Sequence, residues 1–388
     1  VLDAAAQENF KVTILFESQS NLAGGTREGV LQMFRQFFSN FGDDQRYFRI
    51  DGRPVIFVYG VDSQPEATWT DILGTLKSEG HEAFYIAESD NANTDYLEAF
   101  DGIHIYEPNT PSAVQALNVT YKRLQLSTRS FGFLYSGMTS RLWAATVTPG
   151  FDDALLQRTT NHYLPRDDGN TYRKTFDAAL ASNPDWILIT SFNEYYENSY
   201  IEPSTSYGWK YIDLTTQFSS KFKQVAFVPA ITIWKGLGSS TVSANKPEKV
   251  EITLVNTGNG SAIELQFRET GLPNTLEFLN GTLEGKVDRL LPEESVASAF
   301  WVKIITVINA TLPRTQVSYR DADNQTYLVT SDIVTVLATI DTVTQAIPPA
   351  SPLIPGFPLE SILVGLGFGL LGLHLICRKR LVNRKRPA

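Results

Sequence analysis

The sequence predicts an α/β protein: an incomplete (β/α)8 TIM-type barrel of about six βα units, then an immunoglobulin-like β-sandwich and one C-terminal transmembrane helix. Three observations predict this fold class. Apolar runs of strand length alternate with helix-period segments up to about residue 224, period-two alternation follows, and an uncharged apolar run lies near the C-terminus. The predicted parts are the barrel at 1–224, the sandwich at 225–340, a linker at 341–358, the transmembrane helix at 359–377 and a basic tail at 378–388.

The predicted barrel rests on a series of apolar runs separated by helical patterns. One such helical pattern covers residues 26–41 and has its apolar side chains on one side. Right-handed crossovers between parallel strands leave a barrel or a doubly wound sheet as the candidate folds. A complete barrel has eight strands, so the abrupt start of the chain predicts that two N-terminal units are missing. The runs with strand length and composition are residues 11–17, 54–60, 83–88, 102–106, 142–148 and 186–191.

The pattern changes after about residue 225. Residues 231–337 alternate apolar and polar side chains over short runs with frequent turn signals, which is typical of an antiparallel sandwich. The single cysteine, Cys377, leaves no pair for the disulfide of an antibody-type domain. This region resembles surface-protein modules of archaea, and residues 354–358 resemble archaeal surface-anchor tails. Residues 341–358 are rich in Thr and Pro and predict a stiff, exposed linker.

The C-terminal apolar run predicts a membrane anchor. Residues 361–377 carry no formal charge and would span ~26 Å as a helix, the short end of what crosses a bilayer. Six basic residues follow in the last eleven positions, as expected of a cytoplasmic tail. The bulk of the chain would then be extracellular, with the C-terminus in the cytoplasm; a buried C-terminal helix fits the basic cluster poorly. Five Asn-X-Ser/Thr sequons agree with this location: Asn118, Asn259, Asn280, Asn309 and Asn324.

The net charge and the spacing of the histidines limit which ligands and macromolecular partners we expect. The formal net charge is −9 although the tail is basic, and an acidic body argues against a nucleic-acid partner. His81, His104 and His162 lack metal-ligand spacing, and the chain has no Gly-rich phosphate loop. We therefore expect no metal and no cofactor, and we expect a monomer.

Two carboxylates in residues 186–203 are the most informative feature for function. Glu194 and Glu197 follow an apolar strand, three residues apart and among aromatic side chains. Glycosidic bond cleavage requires one carboxyl group to move a proton and a second to stabilise or generate the electrophile. If the chain turns helically after the strand, the two acids share a face at the C-terminal rim of a barrel, where active sites lie. The alternative is a solvated rim with an N-cap role.

The same segment resembles a known family. Residues 193–203, Asn-Glu-Tyr-Tyr-Glu-Asn-Ser-Tyr-Ile-Glu-Pro, resemble the signature Asn-Glu-Trp-x-Glu-Gly-x-x-Ile-Glu-Pro of glycoside hydrolase family 99. Together with four more blocks that match in the correct order, the resemblance covers residues 10–218. It implies a (β/α)8 barrel of endo-acting α-mannosidases and α-mannanases, an oligo- or polysaccharide substrate, and a chain that begins near the third strand. The four blocks are residues 10–17, 47–59, 100–106 and 147–153.

The resemblance also implies catalytic roles. Glu194 would remove the proton from the sugar 2-hydroxyl, whose oxygen then attacks the anomeric carbon to give a 1,2-anhydro sugar. Glu197 would protonate the leaving oxygen and later activate water, with overall retention. Glu17 matches a family carboxylate that contacts the sugar near the reacting centre. We expect Asn193 and Tyr195 of the signature to contact the substrate as well.

Three positions depart from the signature. Tyr195 replaces the usual Trp, Tyr196 stands where His is frequent, and Asn198 replaces Gly. Stacking against a sugar face survives the change from Trp to Tyr but with less area. These departures bear on the specificity for mannose more than on the assignment of Glu194 and Glu197 as the acid/base pair.

Three further residues are candidate substrate contacts from their positions alone. Tyr59 and Tyr106 lie at predicted strand ends, where barrel sites collect aromatic residues, and His104 could donate to a sugar hydroxyl. The two tyrosines could equally be packed core residues, and a lone histidine such as His104 is more often packed than functional. Two other functions stay open for the whole chain: a cell-surface glycan-binding or structural protein with a degenerate barrel, and a polysaccharide-assembly protein.

Overall fold

The computed structural model describes residues 1–20, 23–89, 96–106, 108–134, 141–307 and 309–340. Within them, Val1–Thr339 forms one compact unit. The predicted linker, transmembrane helix and basic tail lie outside the described residues. Among the helices that are described, none is both long and apolar enough to cross a bilayer.

Strands and helices alternate in the first part of the chain, as the sequence predicts. Three short 3₁₀ turns, at Val61–Ser63, Ala154–Leu156 and Asp167–Gly169, interrupt the connections. In chain order the elements are α1 (Leu2–Gln7), β1 (Ile14–Glu17), α2 (Arg27–Phe41), β2 (Arg49–Ile50), β3 (Arg53–Tyr59), α3 (Glu66–Ser78), β4 (Phe84–Glu88), α4 (Tyr96–Ala99), β5 (Gly102–His104), α5 (Pro111–Leu134), β6 (Leu142–Val147), β7 (Phe151–Asp152), β8 (Tyr163–Leu164), α6 (Asn170–Ala181), β9 (Trp186–Ile189) and α7 (Lys210–Lys223).

Six of these strands form one curled parallel sheet. Its order is β1-β3-β4-β5-β6-β9, which is also their order along the chain, and β2 adds an antiparallel pair to β3. Over the described residues no ladder joins β1 to β9, so the sheet is an open half-barrel. This confirms the predicted parallel βα arrangement. Because all six strands run the same way, their C-terminal ends meet along one edge of the sheet.

The two faces of this sheet bury different side chains. In β3, Ile56 and Val58 face the helices and pack in one cluster with Phe34 of α2. Val55 and Phe57 alternate with them and face the concave side. Helix α2 begins where the Thr26 hydroxyl accepts a hydrogen bond from the Gly29 N–H at 3.2 Å.

Further β-sheets follow α7. Two four-stranded antiparallel sheets, β10-β12-β16-β14 and β15-β13-β18-β19, share one apolar core, and β11-β20-β17 forms a small third sheet. Antiparallel sheets were predicted here; the immunoglobulin-like topology stays a prediction. The strands are β10 (Ile231–Leu237), β11 (Thr241–Ser243), β12 (Pro247–Asn256), β13 (Ala262–Glu269), β14 (Leu276–Gly281), β15 (Glu284–Leu290), β16 (Ser295–Ile304), β17 (Asn309–Thr311), β18 (Thr315–Arg320), β19 (Thr326–Thr330) and β20 (Thr335–Thr339).

Helix α7 connects the two regions through polar contacts. Arg289 of β15 donates to the Asp213 carboxylate of α7 at 2.7 Å, and its guanidinium lies 4.7 Å from the ring centroid of Trp209. Gln217 of α7 also donates to the Ala322 carbonyl. These contacts hold α7 against the β-sheets, directly after the segment that carries the two predicted catalytic acids.

Candidate active site

Residues 190–202, here called the carboxylate loop, follow β9 at the C-terminal edge of the parallel sheet. The loop closes on itself through backbone hydrogen bonds. The Ser191 N–H donates to the Ser199 carbonyl at 2.9 Å, and the Ile201 N–H donates to the Ser191 carbonyl at 3.0 Å. These bonds bring the two ends of the loop together and place Glu194 and Glu197 between them.

The Glu194 backbone is fixed while its side chain stays exposed. Its N–H donates to the Ser191 hydroxyl at 2.9 Å, and its carbonyl accepts from the Ser199 N–H at 3.3 Å. A base must reach a substrate proton from a defined position. Glu194 meets this requirement because the polypeptide is held and the carboxylate faces solvent.

A turn follows the strand at residues 195–198, so the condition stated for the two acids to share a face is met in part. The Asn198 N–H donates to the Tyr195 carbonyl at 3.1 Å, and Asn198 has φ 48, in the left-handed region. Gly and Asn are the residues that adopt this conformation at least cost. The change from Gly in the family signature to Asn198 therefore preserves the turn.

Glu197 is paired with an arginine. Its side chain is only 12% exposed, and Oε1 accepts a hydrogen bond from Arg158 Nη2 at 2.5 Å. Arg158 also contacts the Asp153 carboxylate at 3.3 Å through Nη1, so its guanidinium bridges two acids. The Glu197 carbonyl accepts from the Asp152 N–H at 2.8 Å. The carboxylate loop is thereby joined to the segment after β6.

Asp153 anchors this ion-pair network from a buried position. Burial by itself raises the pKa of the carboxyl group, but the His162 N–H and the Arg158 guanidinium together hold the pKa below its ordinary value. The His162 N–H donates to Oδ1 at 2.7 Å. Asp153 therefore stays ionised and keeps Arg158 beside Glu197.

Arg166 holds the far end of the carboxylate loop. Its side chain is 8% exposed, and Nη2 donates to the carbonyls of Asn198 at 2.9 Å and Tyr200 at 2.8 Å. The guanidinium lies over the rings of Tyr200, Tyr207 and Tyr211, 4.8, 4.2 and 4.5 Å from their centroids. Aromatic faces stabilise a desolvated cation in this arrangement. Arg166 therefore satisfies two loop carbonyls and fixes the path of the chain after Glu197.

Exposed aromatic and amide groups lie beside the two acids. Asn193, Tyr195 and Tyr196 are all solvent-exposed. The Tyr195 hydroxyl donates to the Glu202 carboxylate, and this hydrogen bond raises the pKa of the phenol. The bond fixes one edge of the Tyr195 ring, and the Tyr200 ring contacts it with the two centroids 4.6 Å apart. Tyr195 is still 48% exposed, so part of the ring can stack against a sugar.

Other predicted contacts lie on the same edge of the sheet. The rings of Tyr59 and Tyr106 meet edge to face, with centroids 5.1 Å apart. Glu17 is the register partner of Tyr59 and is exposed at the end of β1. The Thr190 hydroxyl donates to the Tyr106 carbonyl at 2.9 Å and ties the carboxylate loop to this group. Glu17 itself lies on the edge strand opposite β9.

His104 lies inside the curled sheet rather than at its open rim. It is 2% exposed, its Nδ1 is 3.1 Å from the Ile105 carbonyl, and its ring meets Phe57 edge to face at 5.2 Å. Burial lowers its pKa to about 4, so the ring is neutral at neutral pH. Nε2 has no hydrogen-bond partner among the described residues. His104 lines a cavity of 150 Å³ with Leu15, Phe57, Tyr106, Thr146, Leu188 and Thr190.

The chain matches a family model over this whole region. The model described as Glycosyl hydrolase family 99 matches residues 1–225, more than half of the chain. The chain belongs to glycosyl hydrolase family 99. A second model, translocon-associated protein beta, matches residues 214–347.

Curated relatives of this family 99 chain are distant. It is 24% identical over 252 residues to the glycoprotein endo-alpha-1,2-mannosidase of Mus musculus, covering 58% of this chain and 52% of the mouse protein. It is 23% identical over 230 residues to a glycoprotein endo-alpha-1,2-mannosidase-like protein of Danio rerio, covering 55% and 50%. The chain thus spans about half the length of the curated relatives it matches.

Solved structures of the family are similar at a comparable level. A family 99 endo-alpha-mannosidase from Bacteroides thetaiotaomicron has a TM-score of 0.48 and 22% identity, covering 57% of this chain and 69% of the solved chain. A second structure of a family 99 endo-alpha-mannosidase from the same bacterium has a TM-score of 0.49 and 20% identity, covering 57% and 73%.

Sequence reasoning missed three residues of this site. Asp153 closes one of the matching blocks, but Arg158 and Arg166 lie beyond it in segments without a recognisable pattern. A basic residue shortly after a block with two acids was the one available signal for Arg158. Over the described chain, no group of three or more His, Cys, Asp or Glu is placed to hold a metal ion.

Proposed function

We propose that this family 99 chain carries a retaining glycoside hydrolase site that cleaves α-linked, mannose-containing glycans internally. Glu194 is the base and Glu197 the acid/base. The observation that carries the proposal is the carboxylate loop: it holds both acids beside exposed Tyr195 and Tyr196 at the C-terminal edge of a parallel sheet. Active sites of βα barrels lie at this edge.

The reaction has two steps, and each step needs one proton transfer by Glu194 and one by Glu197. Glu194 takes the proton of the 2-hydroxyl, and the 2-oxygen forms a bond to the anomeric carbon as the glycosidic bond breaks. Glu197 gives its proton to the departing oxygen. It then takes a proton from the water that opens the 1,2-anhydro ring, while Glu194 returns its proton to the 2-oxygen. Two inversions at the anomeric carbon give net retention.

Arg158 controls access to Glu197 in this scheme. Its guanidinium donates to Oε1 of Glu197, so that oxygen is already engaged in an ion pair. Arg158 is half exposed and retains a second carboxylate partner in Asp153. A substrate can therefore displace it from Glu197 without leaving its charge unpaired.

Hydrolysis of an α-1,2-linked manno-oligosaccharide tests the proposed activity. The names of the curated relatives make this linkage the first choice. We expect cleavage at an internal bond of the oligosaccharide, and proton NMR should show the α-anomer of the new reducing end as the first product. A first-formed β-anomer would contradict the retaining mechanism. Absence of cleavage across α-linked mannans would contradict the hydrolase proposal itself.

A glycan-binding protein is the second candidate. The pairing of Glu197 with Arg158 favours it, because that carboxylate is only 12% exposed. The sheet is also open rather than closed. Saccharide binding that survives loss of both acids, without release of product, would establish this function in place of hydrolysis.

We further propose that the protein is a monomeric single-pass membrane protein with its bulk outside the cell. The support is the uncharged run at 361–377, the basic tail after it and the five sequons. A membrane-impermeant reagent applied to intact cells should label lysines of the first 340 residues and spare Lys379 and Lys385. Equal labelling before and after lysis, or none before lysis, would contradict this topology.

A further inference from the structure

The sequon at Asn280 lies on an exposed edge of the β-sheets. Strand β14 contains Asn280 and is the last strand of the sheet β10-β12-β16-β14. Asn280 is solvent-exposed, and Gly281 after it has φ 105, which ends the strand. Edge strands carry unpaired backbone groups, so natural proteins cover or interrupt them.

An exposed tryptophan lies directly across from this asparagine. Asn280 is the register partner of Trp301 on β16, and Trp301 is 38% exposed. Directly opposed residues of an antiparallel pair extend from the same face of the sheet. A group attached to the Asn280 amide would therefore start beside the indole ring.

A second aromatic residue precedes the sequon. Phe278 is exposed and lies two residues before Asn280, and the strand register shifts between these two residues. The extra residue at such a bulge bends the strand and redirects its side chains. By this register Phe278 opposes Val302 while Asn280 opposes Trp301, so the side chains of Phe278 and Asn280 extend from opposite faces of the sheet. Trp301 is therefore the aromatic residue beside the Asn280 side chain.

The other sequons have different surroundings. The Asn259 amide donates to the Ala226 carbonyl at 3.1 Å and accepts from the Val228 N–H at 2.8 Å, so its nitrogen is already engaged. Asn118 lies in the interior of helix α5, and Asn309 has Leu337 as its register partner. Asn324 lies in the turn between β18 and β19, where φ is 64.

We propose that Asn280 is an N-glycosylation site whose first sugar stacks on the Trp301 indole. The donor is a lipid-linked oligosaccharide phosphate, transferred by a membrane oligosaccharyltransferase. The Asn280 amide nitrogen forms a bond to the anomeric carbon and loses one proton, and the bond from that carbon to the phosphate oxygen breaks. The C–H face of a pyranose packs on an indole face. This inference rests on the proposed extracellular location and is independent of the proposed hydrolase activity.

Site occupancy is the first test. The full chain is expressed behind a cleavable secretion leader in eukaryotic cells that perform N-glycosylation, and glycopeptides are quantified by mass spectrometry. We expect higher occupancy at Asn280 than at Asn259, and complete loss at Asn280 in a Thr282→Ala variant while Thr282→Ser retains it. An unoccupied Asn280 would overturn the proposal. Because the leader supplies the compartment, that result would not bear on the natural location.

Thermal unfolding tests the stacking contact. The Tm of the glycosylated protein is compared with that of the Thr282→Ala variant, which lacks the glycan at Asn280. The comparison is made in three backgrounds: the unchanged sequence, Trp301→Ala and Trp234→Ala. Trp234 is the matched control: it is 66% exposed and lies on β10 of the same sheet, separated from β14 by two strands. We expect the glycan to raise Tm by about 2–4 °C in the unchanged and Trp234→Ala chains, with no rise in Trp301→Ala. An equal rise in all three would exclude the contact with Trp301.

Discussion

Replacing Glu194 by Gln is expected to lower kcat/KM on an α-linked mannoside by about 10²–10⁴-fold, the usual contribution of a positioned base. Gln keeps the shape of the side chain but cannot accept the proton of the sugar 2-hydroxyl. The substitution should leave the fold unchanged, since the Glu194 side chain is exposed and its hydrogen bonds are made by the backbone. Steady-state kinetics with thermal unfolding as a parallel measurement checks both expectations.

Glu197→Gln provides the contrasting variant. It should lose activity on oligosaccharides but keep much of it on an aryl mannoside, whose leaving group departs without a proton. Glu194→Gln should show no such recovery, and a substrate without a 2-hydroxyl should not react with the unchanged chain. Glu264→Gln is a matched control on β13, where Glu264 pairs with Arg320 far along the chain from the carboxylate loop. Similar losses in all three variants would contradict the assigned roles.

Replacing Lys235 by Met is expected to lower the free energy of unfolding of the β-sheet region by about 3–5 kcal/mol. Lys235 donates to the Glu269 carboxylate and to the Pro313 carbonyl, and both charged side chains are 1% exposed. The Thr315 hydroxyl completes the group with a 2.5 Å hydrogen bond to Glu269. Removal of the ammonium leaves Glu269 charged and buried without its partner. Urea denaturation measures the loss.

Two further variants separate this effect from a general loss of charge. Lys235→Met combined with Glu269→Leu removes both charges and should recover much of the stability, because no buried ion is left unpaired. Lys249→Met breaks a 2.6 Å pair with Glu251 in which both side chains are well exposed, and should cost less than about 1 kcal/mol. A loss as large from Lys249→Met as from Lys235→Met would contradict the importance of burial.

Local patterns in the sequence were enough to place the parallel strands. The run at 186–191 became β9, and the run at 142–148 became β6, each within two residues of the predicted ends. Hydrophobic periodicity indicates which side chains of an element face a core. This signal can be read from neighbouring residues alone, without knowing which distant residues complete the core. A helical turn after this strand was only a condition in the sequence reasoning, and its position at residues 195–198 comes from the structure.

The side chains that surround the acids could not be predicted in this way. Arg158 reaches Glu197 across 39 positions of the chain, and Arg166 reaches the carbonyls of Asn198 and Tyr200 across 32 and 34. Nothing in the residues next to either arginine specifies a partner at that separation. His104 likewise has an ordinary strand-end position in the sequence, and its burial depends on the neighbouring strands that pack around it.

The amino-acid sequence by itself determined that this protein has a parallel βα region, antiparallel sheets after it, and two acids at the end of the last parallel strand. Those features follow from the order of apolar and polar residues, because this order determines secondary structure over stretches of only a few residues. The tertiary structure alone decided that Arg158 pairs with Glu197, that Arg166 donates hydrogen bonds to two carbonyls of the carboxylate loop and that Lys235 is buried with Glu269. Ion pairs and cation–π contacts depend on the distance between groups in space, and only the folded path of the chain sets that distance.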